Sequence, residues 1–136
     1  MKALTYYLSI LFVAFSISSC SNANKSKQSD SSFIISEVLD QDTYMSKLEQ
    51  AEKIQLVDVR TPEEFTQGTI GSAINIDYEA DDFKAKIVEL DRNRQVYIFC
   101  QSGNRSGQAA KVMAELGFKE IYDLDGGYGE WSDNQN

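Results

Sequence analysis

Histidine is absent from all 136 residues. That absence removes Ser–His and Cys–His hydrolytic mechanisms, histidine-ligated zinc and imidazole acid/base chemistry together. Basic side chains are also scarce, 13 Lys and Arg against 21 Asp and Glu, for a net charge of −8. Such a balance argues against binding a phosphate backbone, so no nucleic-acid partner is expected. No metal ion or organic cofactor is indicated by any residue cluster. With one proline and 42% apolar residues, the composition is that of a globular chain rather than a disordered one. Its length sets the expectation of a single core that buries roughly two-thirds of the unfolded surface. Two cysteines, Cys20 and Cys100, could formally close one disulfide, but their surroundings direct them elsewhere.

One long apolar run is present, Leu4 to Ile17 behind a basic Met1-Lys2 start. At about 14 residues it falls short of the roughly 20 needed to span a bilayer. It matches the apolar region of a secretory signal. The following Ile17-Ser18-Ser19-Cys20 resembles the lipobox of bacterial lipoproteins, which implies cleavage before Cys20 and lipidation of that cysteine. An ordinary cleaved signal or an uncleaved anchor is the alternative. The expected organisation is a signal peptide over 1–19, a lipidated Cys20 with a polar tether to 32, and a folded domain over 33–136. Two or three acyl chains would hold the protein stably on a membrane of the bacterial cell envelope. Loss of 1–19 removes one lysine and no acid, moving the charge from −8 to −9, and leaves Cys100 as the sole thiol.

Along the domain, apolar strands alternate with amphipathic helices. Strands are expected at Phe33–Ile35, Ile54–Val59, Ala73–Ile76, Gln95–Phe99 and Ile121–Leu124. Helices are expected at Thr43–Gln50 with Asp42 as cap, after the Thr61-Pro62-Glu63-Glu64 capping box, at Asp81–Leu90 and at Arg105–Leu116. The Asp125-Gly126-Gly127 segment reads as a turn that ends near Trp131. This order predicts an α/β fold, a mostly parallel sheet of about five strands with helices on both faces. Ligands of such sheets sit beyond the carboxyl ends of the strands, and Asp58, Cys100 and Asp123 all fall near those ends.

The segment Phe99-Cys100-Gln101-Ser102-Gly103-Asn104-Arg105-Ser106 carries the chemistry. A buried strand delivers a cysteine, a tight loop follows, and a helix begins within a few residues. Amides of such a turn, together with the helix dipole, converge on negative charge. Gly103 permits the positive φ or the close approach that a loop folded around its own cysteine would need, and Arg105 adds a permanent cation. These surroundings depress a thiol below its free pKa of about 8.5, so a thiolate is available without histidine. A cysteine ending an apolar strand can equally be core filler, but filler needs neither the glycine nor the arginine.

Over roughly residues 34–132 the chain resembles the rhodanese-homology family. The resemblance rests on Leu56-Val57-Asp58-Val59-Arg60-Thr61-Pro62-Glu63-Glu64-Phe65, on Gly68 to Ile76, on Cys100 to Ser106, and on Leu124-Asp125-Gly126-Gly127 with Trp131. The family commonly has histidine where Thr69 stands and alanine where Ser72 stands. The resemblance implies a sulfurtransferase with a persulfide on Cys100, held by loop residues Gln101, Ser102, Gly103, Asn104, Arg105 and Ser106. Its partners would be a small anionic or persulfide sulfur donor and a thiol or cyanide-like acceptor, a protein among the candidates. Asp58 and Arg60 are expected to buttress the rim through hydrogen bonds or an ion pair, whereas Glu63 and Glu64 are expected only to start a helix. Two other readings stand beside this one: a non-catalytic interaction module, and a cysteine phosphatase or arsenate-type enzyme. The latter has a C-x5-R loop, whereas Cys100 and Arg105 enclose four residues.

Overall fold

The computed structural model describes residues 33–135. The expected signal peptide, Cys20 and tether lie outside the described residues. Five strands and five helices alternate: β1 (Ile35–Leu39), α1 (Gln41–Gln50), β2 (Gln55–Asp58), α2 (Pro62–Thr66), β3 (Ile74–Asn75), α3 (Phe83–Ile87), β4 (Val96–Phe99), α4 (Asn104–Glu115), β5 (Glu120–Leu124) and α5 (Gly127–Asp133). The strands form one sheet in the order β1-β5-β4-β2-β3, and every pairing is parallel.

Strand alternation sorts the core into two layers. Val57, Val96, Ile98 and Ile121 face Phe83 and Ile87 of α3 and Ala109, Ala110 and Met113 of α4. Leu56, Tyr97, Phe99, Tyr122 and Leu124 point the opposite way, onto Tyr44 and Leu48 of α1 and Tyr128 and Trp131 of α5. The expected α/β fold with helices on both faces is therefore the observed one. Central β4 is buried along its whole length, which is why Val-Tyr-Ile-Phe carries no polar residue.

Three elements depart from expectation. The first strand begins at Ile35, whose N–H donates to Lys119 O at 2.7 Å, while Phe33 is 87% exposed. Because β1 is an edge, it tolerates Ser36 and Glu37 where an apolar run is not required. Asp40, rather than Asp42, caps α1, and its carboxylate accepts from the Thr43 N–H at 3.0 Å and from Thr43 Oγ1 at 2.8 Å. The Gly-Gly segment opens a seven-residue helix instead of ending in a turn. Gly126 and Gly127, with φ of +69° and +64°, reverse the chain after β5 and start α5.

Candidate active site around Cys100

Parallel pairing brings the ends of β2, β4 and β5 to one edge of the sheet. Asp58 closes β2, Cys100 follows β4, and the Gly126-Gly127 reversal follows β5. The loop from Cys100 to Gly103 is held from outside by α5: the Tyr128 N–H donates to Cys100 O at 2.8 Å, and the Gly129 N–H donates to Gln101 O at 3.0 Å. A trans peptide sets its N–H opposite its C=O. Drawing those two carbonyls toward α5 therefore turns the amides of Gln101 and Ser102 to the other side.

The Cys100 side chain is 1% exposed. The Gly103 N–H donates to its Sγ at 3.1 Å, and Ser106 Oγ lies 3.4 Å from the same sulfur. Gly103 has φ +87° and precedes the first residue of α4, so its left-handed conformation folds the loop back over the cysteine. Burial pushes the thiol pKa up. The Ser106 hydroxyl and the amides of Ser106, Ser102 and Gly103 outweigh that penalty and hold it below the ordinary value.

Arg105 stands in the loop as expected, but its guanidinium is taken. Its two terminal nitrogens each donate to a Glu64 carboxylate oxygen at 2.7 Å, and Glu79 lies 3.6 Å away. Glu64 thus does more than start a helix: it completes the capping box with Thr61 and neutralises the loop cation. The Arg105 hydrogen bonds hold the Glu64 carboxyl down at about 2 against an ordinary 4.5.

Asp58 and Arg60 form a buried ion pair, 0% and 2% exposed, at 2.7 Å. Arg60 also donates to Gly68 O at 2.6 Å and to Gln101 Oε1 at 3.3 Å, with its guanidinium 3.9 Å above the Tyr128 ring. It ties the turn after α2, the loop and α5 together. Thr69 hydrogen-bonds Asp58 Oδ2 at 2.9 Å and so joins this network. The side chains of Gln101, Ser102 and Asn104 reach solvent, while Ser106 is fully buried beneath the sulfur. For three residues, Glu64, Gly127 and Gly129, the role at the loop is not among the sequence expectations. Glu64 meets Arg105 across 41 residues, and nothing local signals that pairing. Gly127 and Gly129 had a signal in their glycine spacing, because a Cβ on Gly127 would lie 2.5 Å from Cys100 O.

Fold and site together define an α/β domain with an amide-lined cysteine loop at the carboxyl edge of its sheet. Residues 41–134 match the family model for the rhodanese-like domain, and the chain belongs to that family. It is 42% identical over 79 residues to the uncharacterized protein YqhL of Bacillus subtilis (strain 168), covering 58% of this chain and 61% of YqhL. It is 33% identical over 85 residues to the thiosulfate sulfurtransferase GlpE of Shewanella oneidensis, covering 62% of this chain and 82% of that protein. The solved structure of the human single-domain sulfurtransferase TSTD1 superposes with a TM-score of 0.60 at 26% identity, over 73% of this chain and 97% of TSTD1.

Proposed function

We propose that the protein is a sulfurtransferase that carries a sulfane sulfur as a persulfide on Cys100. The reading is carried by one observation: a buried sulfur stabilised as an anion by Ser106 and by loop amides. Names of relatives such as the sulfurtransferase of Allochromatium vinosum, 32% identical over 94 residues, support it. In the first step the thiolate attacks the outer sulfur of the donor. The donor S–S bond breaks as the new one forms, and sulfite leaves if the donor is thiosulfate, a thiolate if it is a persulfide. The terminal sulfur then occupies the amide-lined loop. In the second step an acceptor thiolate or cyanide takes that sulfur and releases the Cys100 thiolate. The Ser106 hydroxyl and the loop amides favour the thiolate, which lessens the need for a separate general base.

The rim favours a persulfide donor over thiosulfate. Gln101, Ser102 and Asn104 are uncharged, and Arg105 is committed to Glu64. A dianion therefore meets no free loop cation. Treating the full-length protein with thiosulfate or a glutathione-type persulfide and measuring peptide masses tests both points. One sulfur should be added at Cys100, removable by cyanide and absent in Cys100→Ser, with the persulfide loading faster. An unmodified Cys100 with both donors would overturn the activity.

The amino-terminal segment gives the reading a place: we propose anchorage to an envelope membrane through lipid on Cys20. Partition of the wild type into a detergent phase, lost in Cys20→Ser, is the expected result.

A further inference from the structure

The segments that enter the strands and the segments that leave them lie at opposite edges of the sheet, because every strand pairing is parallel. The two edges differ in chemistry. Asp40, Asp42, Glu63, Glu79 and Asp125 are exposed on the leaving edge, where the Cys100 loop sits. The arginines there are taken, Arg60 by Asp58 and Arg105 by Glu64. The entering edge is balanced: exposed Lys53, Arg92 and Arg94 stand among Glu52, Glu89 and Asp91. Exposed apolar side chains follow the same division. Among the described residues five large ones are exposed, and four belong to entering segments. Phe33 and Ile34, 87% and 41% exposed, run into β1, Val88 caps the end of α3 ahead of β4, and Ile74 opens β3.

Phe33 and Ile34 also mark where the chain joins the sheet, since the Ile35 N–H makes the first ladder contact among the described residues. Residues 21–32 alone separate them from Cys20, and that stretch carries Lys25 and Lys27 against one acid, Asp30. Those 12 residues reach at most roughly 40 Å. With lipid on Cys20, a connection of that length keeps the domain at the bilayer at a concentration on the order of millimolar. A weak contact is then enough to set its orientation. Partial burial of an aromatic and an aliphatic side chain at the headgroup boundary supplies apolar area, and nearby cations add attraction to anionic lipid. The leaving edge meets the opposite force, because the negative surface potential of such a membrane repels its carboxylates.

We propose that the entering edge of the sheet docks on an anionic lipid surface through Phe33 and Ile34, so that the Cys100 loop faces away from the bilayer. The proposal rests on the lipid anchor at Cys20 and is independent of sulfur transfer. Apolar burial and charge act in the same sense, because the apolar edge is the balanced one and the acidic edge is the one that carries the cysteine. Val38, the fifth exposed apolar side chain at 65%, lies within β1 and so stands above the boundary. Donor and acceptor then reach Cys100 from the aqueous side rather than from within the lipid.

The test is lysine acetylation by a water-soluble ester in the full-length lipidated protein on vesicles of phosphatidylcholine and phosphatidylglycerol, read by peptide mass. Lys53 reports on the entering edge, and exposed Lys84 in the first turn of α3 is the reference beyond it. The Lys53 to Lys84 labelling ratio should be at least about threefold lower in wild type than in Phe33→Ser/Ile34→Ser, the order of shift that partial burial of two apolar side chains supplies. Both residues are exposed and precede β1, so the variant keeps the fold, which an unchanged rate of Cys100 alkylation verifies. Brominated acyl chains should leave the emission of Trp131, the single tryptophan, unquenched. Equal ratios in wild type and variant, or a quenched Trp131, would overturn the proposal. Protection of Lys53 that grows with protein density on the vesicle would assign the edge to a second copy of the chain and overturn it as well. Wild type that does not float with the vesicles fails on the anchor, and the orientation falls with it. Wild type that floats but shows equal ratios loses the orientation alone.

Discussion

Arg105 gives both terminal nitrogens to the two oxygens of Glu64, each at 2.7 Å. The only cation of the loop is thereby spent on a carboxylate that also caps α2. A bidentate pair of this kind fixes the guanidinium plane as well as its charge, so helix α2 and the active loop are bolted to each other at the rim.

Glu64→Gln separates the two jobs of that carboxylate. Glutamine at the third helical position still accepts from the Thr61 N–H and keeps the capping box, but it leaves Arg105 with only the longer contact to the exposed Glu79 carboxylate at 3.6 Å. Thiosulfate kcat/KM should rise about fivefold, the worth of roughly 1 kcal/mol for an exposed pair, and turnover of an uncharged persulfide should hold constant. Steady-state kinetics with the two donors checks this. A thiosulfate gain matched by the persulfide would mean that loop motion, not charge, limits the wild type.

The same pair sets an acid limit on stability. The folded Glu64 carboxyl titrates at about 2 against an ordinary 4.5, so the folded state holds its proton less tightly than the unfolded one. Its stabilisation is complete above pH 4.5 and is lost as pH falls from there toward 2. Because the Glu64 side chain is 31% exposed, solvent screening keeps the effect to about 1 kcal/mol. The Tm difference between wild type and Glu64→Gln should be constant from pH 7 to 5 and shrink steadily below 4.5. A difference that does not change with pH would assign the loss to the cap instead.

Gly127 is where α5 meets the back of the active loop. A Cβ there would lie 2.5 Å from Cys100 O and 2.8 Å from Ser102 N, at a φ of +64°. Gly127→Ala must push α5 away and loosen the Tyr128 and Gly129 amides from the loop carbonyls. We expect a loss of about 1–3 kcal/mol together with slower Cys100 alkylation at neutral pH, since the amides facing the sulfur lose their orientation. Urea unfolding combined with the alkylation rate checks both. An unchanged rate in a folded variant would show that the loop holds its shape without α5.

Much of this arrangement is legible in the chain because it is local. Thr61-Pro62-Glu64 specify a helix start through groups three residues apart, and Gln95 to Phe99 reads as a buried strand because every residue from Val96 is apolar or aromatic. Cys100 with Gly103 and Ser106 identifies the loop for the same reason. What was misplaced depended on choices between near neighbours or on distant partners. Asp40 and Asp42 are both fit to cap, and the helix starts at Gln41, which puts Asp40 at the cap and Asp42 inside the first turn. Helix α5 holds two glycines in seven residues, a poor local propensity that packing of Tyr128 and Trp131 overrides. The Glu64–Arg105 pair spans 41 residues, and no short pattern encodes it.

The Asp58–Arg60 pair makes the last prediction, because its burial makes the two partners unequal to a surface pair. Arg60 contributes one hydrogen bond to the loop, through Gln101 at 3.3 Å, but three side-chain bonds to Asp58. Removing it leaves an uncompensated carboxylate that is 0% exposed, although the Arg60 N–H and the Thr69 hydroxyl can still donate to it. Arg60→Met should therefore cost about 3–5 kcal/mol in urea unfolding, and Asp58→Asn placed on top of it should restore part of that loss by discharging the orphaned group. If the pair served the loop chiefly through Gln101, Gln101→Ala would cost as much as Arg60→Met, and the second change would restore nothing. The geometry favours the first outcome, with Gln101→Ala below about 1 kcal/mol, the value of one ordinary hydrogen bond.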